Sequence, residues 1–93
     1  MGSGKMKEKR VIIRNTLGLH ARSAALFSKR ASEFSSRIEV IKDHMIVNGK
    51  SIMDLLTLAA AKGCRICIRA DGDDEDRAVK TLATLVRKGF GET

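Results

Sequence analysis

Arg37-Ile38-Glu39-Val40-Ile41-Lys42-Asp43-His44-Met45-Ile46-Val47-Asn48-Gly49 decides the fold of this chain. Its first five residues alternate between polar and apolar, the period of a strand with one buried face, and Ile38 and Val40 form the inward pair. Lys42-Asp43-His44 reads as a turn, Met45 to Val47 as a further strand, and Asn48-Gly49 as a strong turn signal. Two strands therefore follow one another with no helix between them. Strands that each bury one face suit an antiparallel or mixed sheet with its helices gathered on one side.

The flanking segments extend that pattern in both directions. Upstream, Val11-Ile12-Ile13-Arg14 is a short β-rich run closed by Asn15 and then Gly18. From Ala21 to about Phe34 the spacing predicts a helix whose buried stripe is Ala24, Phe27, Ala31 and Phe34, and Ser35-Ser36 ends it. Downstream, Ser51-Ile52-Met53-Asp54 matches a capping box ahead of the helical run Leu55 to Ala61, with Gly63 as its stop. Arg65 to Ala70 alternates as a fourth strand. The acids Asp71, Asp73, Asp74, Glu75 and Asp76 suit the positive end of a last helix, whose apolar face is Val79, Leu82, Leu85 and Val86. Arg87-Lys88 and then Gly89 close that helix in agreement with its dipole. The order is βαββαβα. The expected architecture is an α+β open-faced β-sandwich: a four-stranded, mainly antiparallel sheet with three helices on one face.

Ninety-three residues, 43% hydrophobic and 31% charged, make one small globular domain. Only three phenylalanines are present, so the core must be aliphatic. No apolar stretch approaches the ~20 residues that span a membrane, and no signal-peptide pattern opens the chain, so the expectation is a cytoplasmic protein without membrane insertion. Residues 1–8 read as a flexible leader, either a scar ahead of a native start at Met6 or a disordered terminus, and residues 9–92 as the domain. The net charge of +7 raises nucleic acid as a partner. The cations are nevertheless scattered, without interleaved aromatic residues, and acidic protein partners suit them at least as well.

Asn15-Thr16-Leu17-Gly18-Leu19-His20-Ala21-Arg22-Ser23-Ala24 places a histidine where a strand has ended and a helix begins. The first turn of a helix carries unpaired N–H groups and a partial positive charge, so a phosphate on a side chain there meets donors already aimed at it. Arg22 adds a permanent cation able to grip phosphate oxygens through a forked hydrogen bond. Neutral imidazole is a competent nucleophile near neutral pH. His20 as a phosphoryl acceptor, stabilised by Arg22, is the chemical reading; an ordinary surface histidine is the plain one.

Gly18-Leu19-His20-Ala21-Arg22, Asn48-Gly49-Lys50-Ser51-Ile52-Met53 and the tail Gly89-Phe90-Gly91-Glu92 together resemble the HPr family, the histidine-phosphorylated carriers of the bacterial phosphotransferase system. The resemblance runs from about Lys9 to Glu92. It implies that His20 takes a phosphoryl group on Nδ1 from Enzyme I, itself charged by phosphoenolpyruvate, and passes it to EIIA-type domains in sugar uptake. It implies a monomeric stoichiometric carrier rather than an enzyme, with no cofactor and no metal. A regulatory or nitrogen-branch carrier is the alternative within the family, and a small basic nucleic-acid-binding domain the alternative outside it.

Serine at position 23 departs from the family, which commonly has proline after the arginine. Its restored N–H and its hydroxyl make Ser23 a candidate phosphate contact. Ser51 is an ordinary N-cap or, as the resemblance implies for some bacteria, a regulatory site for an HPr kinase/phosphorylase. Asp54 stands where relatives usually have glycine and would oppose a phosphate at Ser51. Positions carried over from family interfaces put docking around both helix starts, on Arg22, Ala25, Ile52, Met53 and Leu56. Lys29 and Lys50 are candidates for steering acidic partners. Cys64 and Cys67 lack the second pair a structural zinc site needs. Strand alternation turns Cys64 inward with Ile66 and Ile68 and leaves Cys67 outside beside Arg65 and Arg69, a candidate reactive thiol. His44 reads as a surface turn residue.

Overall fold

A computed structural model describes residues 6–92 of the chain. Its elements are β1 (Lys7–Ile12), α1 (Ala21–Ala31), β2 (Arg37–Lys42), β3 (Met45–Asn48), α2 (Ile52–Thr57), β4 (Arg65–Asp71) and α3 (Glu75–Arg87), followed by a single 3₁₀ turn at Gly89–Gly91. The four strands form one sheet in the order β1-β4-β2-β3, and every pairing is antiparallel. Ile38, Val40, Ile66, Ile68 and Ala70 point inward and are at most 2% exposed. The helices cover that face through Ala24, Phe27, Leu55, Leu82 and Val86, and the core is aliphatic apart from the phenylalanines. No helix among the described residues covers the opposite face of the sheet, which carries Arg10, Ile12, Arg65 and Arg69. The open-faced architecture is the expected one.

The first strand starts earlier than its apolar run. It begins at Lys7, so Lys7 and Glu8 of the expected leader lie in the sheet opposite Ala70 and Arg69. Its polar residues are held by pairing rather than by burial: Arg69 bonds Glu8 at 2.9 Å and Glu39 at 3.4 Å across three strands. Met6 precedes the strand, and residues 1–5 of the leader lie outside the described residues.

All four members of the predicted stripe on α1 are buried, although the helix itself stops at Ala31 and Phe34 fills the core from the turn beyond. The middle helix departs more from expectation. It ends at Thr57, not near Ala61, because Ala59 turns into the left-handed region at φ 49°. The freed carbonyls find other donors: Leu58 accepts the Lys42 ammonium at 3.0 Å and Ala60 accepts the Leu19 N–H at 2.8 Å. Gly63 is therefore not the helix stop; it continues the sheet edge by donating to the Ile13 carbonyl at 2.8 Å. The capping box is half made. Ser51 Oγ accepts the Asp54 N–H at 3.1 Å, but the Asp54 carboxylate reaches back to the N–H of Asn48.

At the last helix, Glu75 and Asp76 occupy the first turn and Arg87 the last, as the dipole favours. Asp74, at the N-cap, serves another element: its carboxylate accepts the N–H groups of Ser35 and Ser36 at 2.9 and 3.0 Å. It thereby pins the turn between α1 and β2.

Candidate functional site

The end of β1 and the start of α1 are joined by a loop that the sequence folds tightly. Gly18 sits at φ 66°, and a Cβ there would lie 2.5 Å from the Ala60 carbonyl oxygen. Asn15, 2% exposed, donates from Nδ2 to the Gly18 carbonyl at 2.8 Å. This loop delivers His20 in extended conformation to the N-cap of α1. The Nδ1 atom of His20 accepts the N–H of Arg22 at 3.4 Å, and Nε2 lies 2.8 Å from Oε2 of Glu92. A backbone donor at Nδ1 and a carboxylate at Nε2 assign the tautomer: the proton sits on Nε2 and the Nδ1 lone pair faces the helix N-terminus.

Glu92 arrives from the far end of the chain. Gly89, Phe90 and Gly91 all have positive φ, 62°, 58° and 77°, so the tail winds back against the strand-to-helix loop. Phe90 is buried beneath it at 4% exposure. The other oxygen of Glu92 accepts from Asn15 Nδ2 at 2.9 Å. The Asn15 hydrogen bond, then the His20 hydrogen bond and the positive field of Arg22, hold the Glu92 carboxyl below the usual carboxylate range against its partial desolvation. Neither Asn15 nor Glu92 stood out in the sequence as a site residue. Asn15 reads there only as a strand terminator, and 77 positions separate it from its partner.

Arg22 is exposed and forms no ion pair among the described residues. It lines a shallow depression with Thr16, Leu17, His20, Gly91 and Glu92. An anion added at Nδ1 would meet a guanidinium that no carboxylate among the described residues engages.

Ser23 does something other than expected. Its side chain is fully buried, Oγ donates to the Gly18 carbonyl at 2.8 Å, and it accepts the His20 N–H at 3.0 Å. With its only proton committed, the hydroxyl braces the loop and does not face the depression. Lys50 is also engaged elsewhere, because its ammonium donates to the Phe34 carbonyl at 2.7 Å; Lys29 stays exposed.

The two helix starts are not neighbours. Ser28 in α1 bonds the carbonyl of Lys50, while Leu19 bonds that of Ala60, so α2 runs antiparallel to α1. Ser51 lies about two turns, roughly 12 Å, along α1 from His20. Between them Leu26 is 37% exposed, and Ile52 and Met53 stand out at 41% and 74%. Ala25 is half-buried, and Leu56 is half-buried against the core. On the open sheet face Cys67 is half-buried, and desolvation, then the Glu8 charge, push its thiol up more than Arg10 and Arg69 pull it down. The expected reactive thiol is a quiet one. No cluster of metal-ligating side chains occurs among the described residues, and no helix there is long and apolar enough to cross a membrane.

The family model described as the PTS HPr component phosphorylation site matches residues 7–88. The chain belongs to the HPr family. The phosphocarrier protein HPr of Neisseria meningitidis serogroup A is 47% identical over 87 residues, covering 94% of this chain and 98% of that protein. A crystal structure of HPr from Thermoanaerobacter tengcongensis superposes with a TM-score of 0.90 at 48% identity, covering 94% of this chain and 98% of the other. A third relative is the catabolite-repression protein Crh of Bacillus subtilis, solved as a domain-swapped dimer, with a TM-score of 0.73, 41% identity, and coverage of 87% and 93%. Membership in the HPr family makes this chain a phosphocarrier protein of the phosphotransferase system. The nucleic-acid reading finds no support in these matches.

Proposed function

We propose that His20 is the phosphoryl acceptor and that Nδ1 is the atom that takes the group. One observation carries this: at the N-cap of α1, Nδ1 accepts the Arg22 N–H, and the Arg22 side chain beside it has no ion-pair partner among the described residues. A phosphate on Nδ1 gains from the N-terminal amides, the helix dipole and a guanidinium. The site is open to solvent, so that stabilisation stays moderate and onward transfer remains feasible. The donor is phosphorylated Enzyme I and the acceptors are EIIA-type domains, which approach over Arg22, Ala25, Leu26, Ile52 and Met53. Exposed Met and Ile suit a small transient contact that serves several partners. The chain works in the cytoplasm as a stoichiometric carrier without turnover of its own, and as a monomer.

Incubation with Enzyme I, Mg²⁺ and phosphoenolpyruvate, followed by intact-mass analysis, tests this reading. Wild type should gain one acid-labile phosphoryl group and His20→Ala none. No phosphate on wild type, with Enzyme I shown to be active, would overturn it.

A second, regulatory reading rests on Ser51 and on the likeness to Crh. Ser51 is partly exposed at the N-cap of α2, where a phosphate would gain from the helix N-terminus but meet Asp54 within the same turn. An HPr kinase/phosphorylase with ATP should then give an acid-stable phosphate on wild type and none on Ser51→Ala.

A further inference from the structure

We infer that Glu92 is a positioning residue for phosphoryl transfer: its carboxylate holds the proton on His20 Nε2 and counters the charge that develops on the ring. The inference rests on the assignment of His20 as the acceptor. Its observations are the 2.8 Å contact between Nε2 and Oε2 of Glu92, and the 2.9 Å bond from Asn15 that holds the other oxygen. The winding of the tail through Gly89, Phe90 and Gly91 is what brings the carboxylate there.

The transfer explains why a carboxylate is useful at this atom. The Nδ1 lone pair attacks the phosphorus of the donor's phosphohistidine. The Nδ1–P bond forms, the donor N–P bond breaks, and its electron pair returns to the donor imidazole. Nε2 of His20 keeps its proton throughout, so the ring becomes positively charged as Nδ1 gives up its lone pair. Glu92 is the carboxylate that faces that charge. An aspartate plays the equivalent part behind the general-base histidine of serine hydrolases, fixing the tautomer and steadying the imidazolium without taking its proton. In onward transfer the retained Nε2 proton lets the ring leave as neutral imidazole, and Glu92 contributes there by keeping that proton in place. Its side-chain contacts are with His20 and Asn15, so it acts through the His20 ring.

Two readouts separate this role from simple bracing of the tail. Nitrogen-15 NMR of the free protein reports the tautomer. In wild type the Nε2–H form should dominate, in Glu92→Ala the two tautomers should mix, and Glu92→Asp should restore at least part of the bias. The rate of phosphoryl acceptance from phosphorylated Enzyme I should fall about tenfold in Glu92→Ala, the effect of losing one partly screened charge-assisted hydrogen bond. Glu92→Gln keeps an acceptor but no charge; it should retain the tautomer bias and still lose most of the rate. If wild type takes phosphate on His20 and Glu92→Ala matches it in both tautomer and rate, the inference falls and the acceptor assignment stands. If wild type takes no phosphate on His20, both fall together.

Discussion

The backbone N–H of Leu19 donates to the carbonyl of Ala60 at 2.8 Å, and this bond joins the beginning of α1 to the segment just past the end of α2. It exists because α2 stops early, at a left-handed Ala59, leaving a carbonyl to point at the loop that carries His20. The position of the nucleophile is thus set partly from a segment 40 residues away in sequence. Early termination of α2 and presentation of His20 are two consequences of one local conformation.

Gly18 is the residue that permits this approach. Its φ of 66° favours glycine, and a Cβ would fall 2.5 Å from the Ala60 oxygen and 2.9 Å from the Ala61 Cα, both backbone atoms that cannot swing aside. Gly18→Ala should therefore cost about 2–4 kcal/mol, combining left-handed strain with the forced separation. Urea denaturation would register the loss as a lower midpoint. Phosphoryl acceptance should slow as well, since Leu19 can no longer hold the loop against Ala60. A variant as stable as wild type would show that the loop relaxes without the Leu19 bond.

Ser23 tests whether the hydroxyl is a brace or a phosphate ligand. Ser23→Ala removes the bond to the buried Gly18 carbonyl and one acceptor for the His20 N–H. The expected loss is about 1–2 kcal/mol of stability, from two lost hydrogen bonds, because the Gly18 carbonyl keeps its Asn15 donor and the His20 N–H still reaches the Gly18 carbonyl. The extent of phosphorylation by Enzyme I at saturation should be unchanged, because the hydroxyl faces the protein. A stable variant with a strongly weakened phosphohistidine would make Ser23 a phosphate contact after all.

Much of this was legible in the sequence, and the parts that were not share a cause. Period-two and helical spacing found the inward faces of β2 and β4 and the stripe on α1, because burial on one face imposes those periods directly. His20 at the head of α1 was legible for the same reason: strand stop, glycine and helical stripe are all local. What escaped was decided by partners distant in the chain. Lys7 to Arg10 are strand because β4 lies beside them, and no apolar pattern marks that. Ala59 halts α2 in a run of alanines that favours helix, because the tertiary bonds of Leu58 and Ala60 reward the turn. Asp74, an expected dipole partner of α3, bonds Ser35 and Ser36 instead. Glu92 is an acid in a tail until the winding at Gly89–Gly91 places it against His20.

Asp74 gives the fold a pH dependence whose sign is fixed. Hydrogen bonds from the Ser36 hydroxyl and the N–H groups of Ser35 and Ser36 outweigh its desolvation and lower its pKa from 3.8 to about 2. A carboxyl with a folded-state pKa below its unfolded one binds protons more weakly in the folded state. Its contribution is therefore complete above about pH 4 and disappears as the pH falls through about 2. Asp74 is partly exposed, so solvent screening reduces the contribution to the order of 1 kcal/mol. Asp74→Asn should then be less stable than wild type near neutral pH by about that amount, with the gap closing between about pH 4 and about pH 2. Urea midpoints of the two proteins across that range would show it. A gap that stays constant down to pH 2 would mean that the Ser35–Ser36 turn is held by shape rather than by the ionised carboxylate.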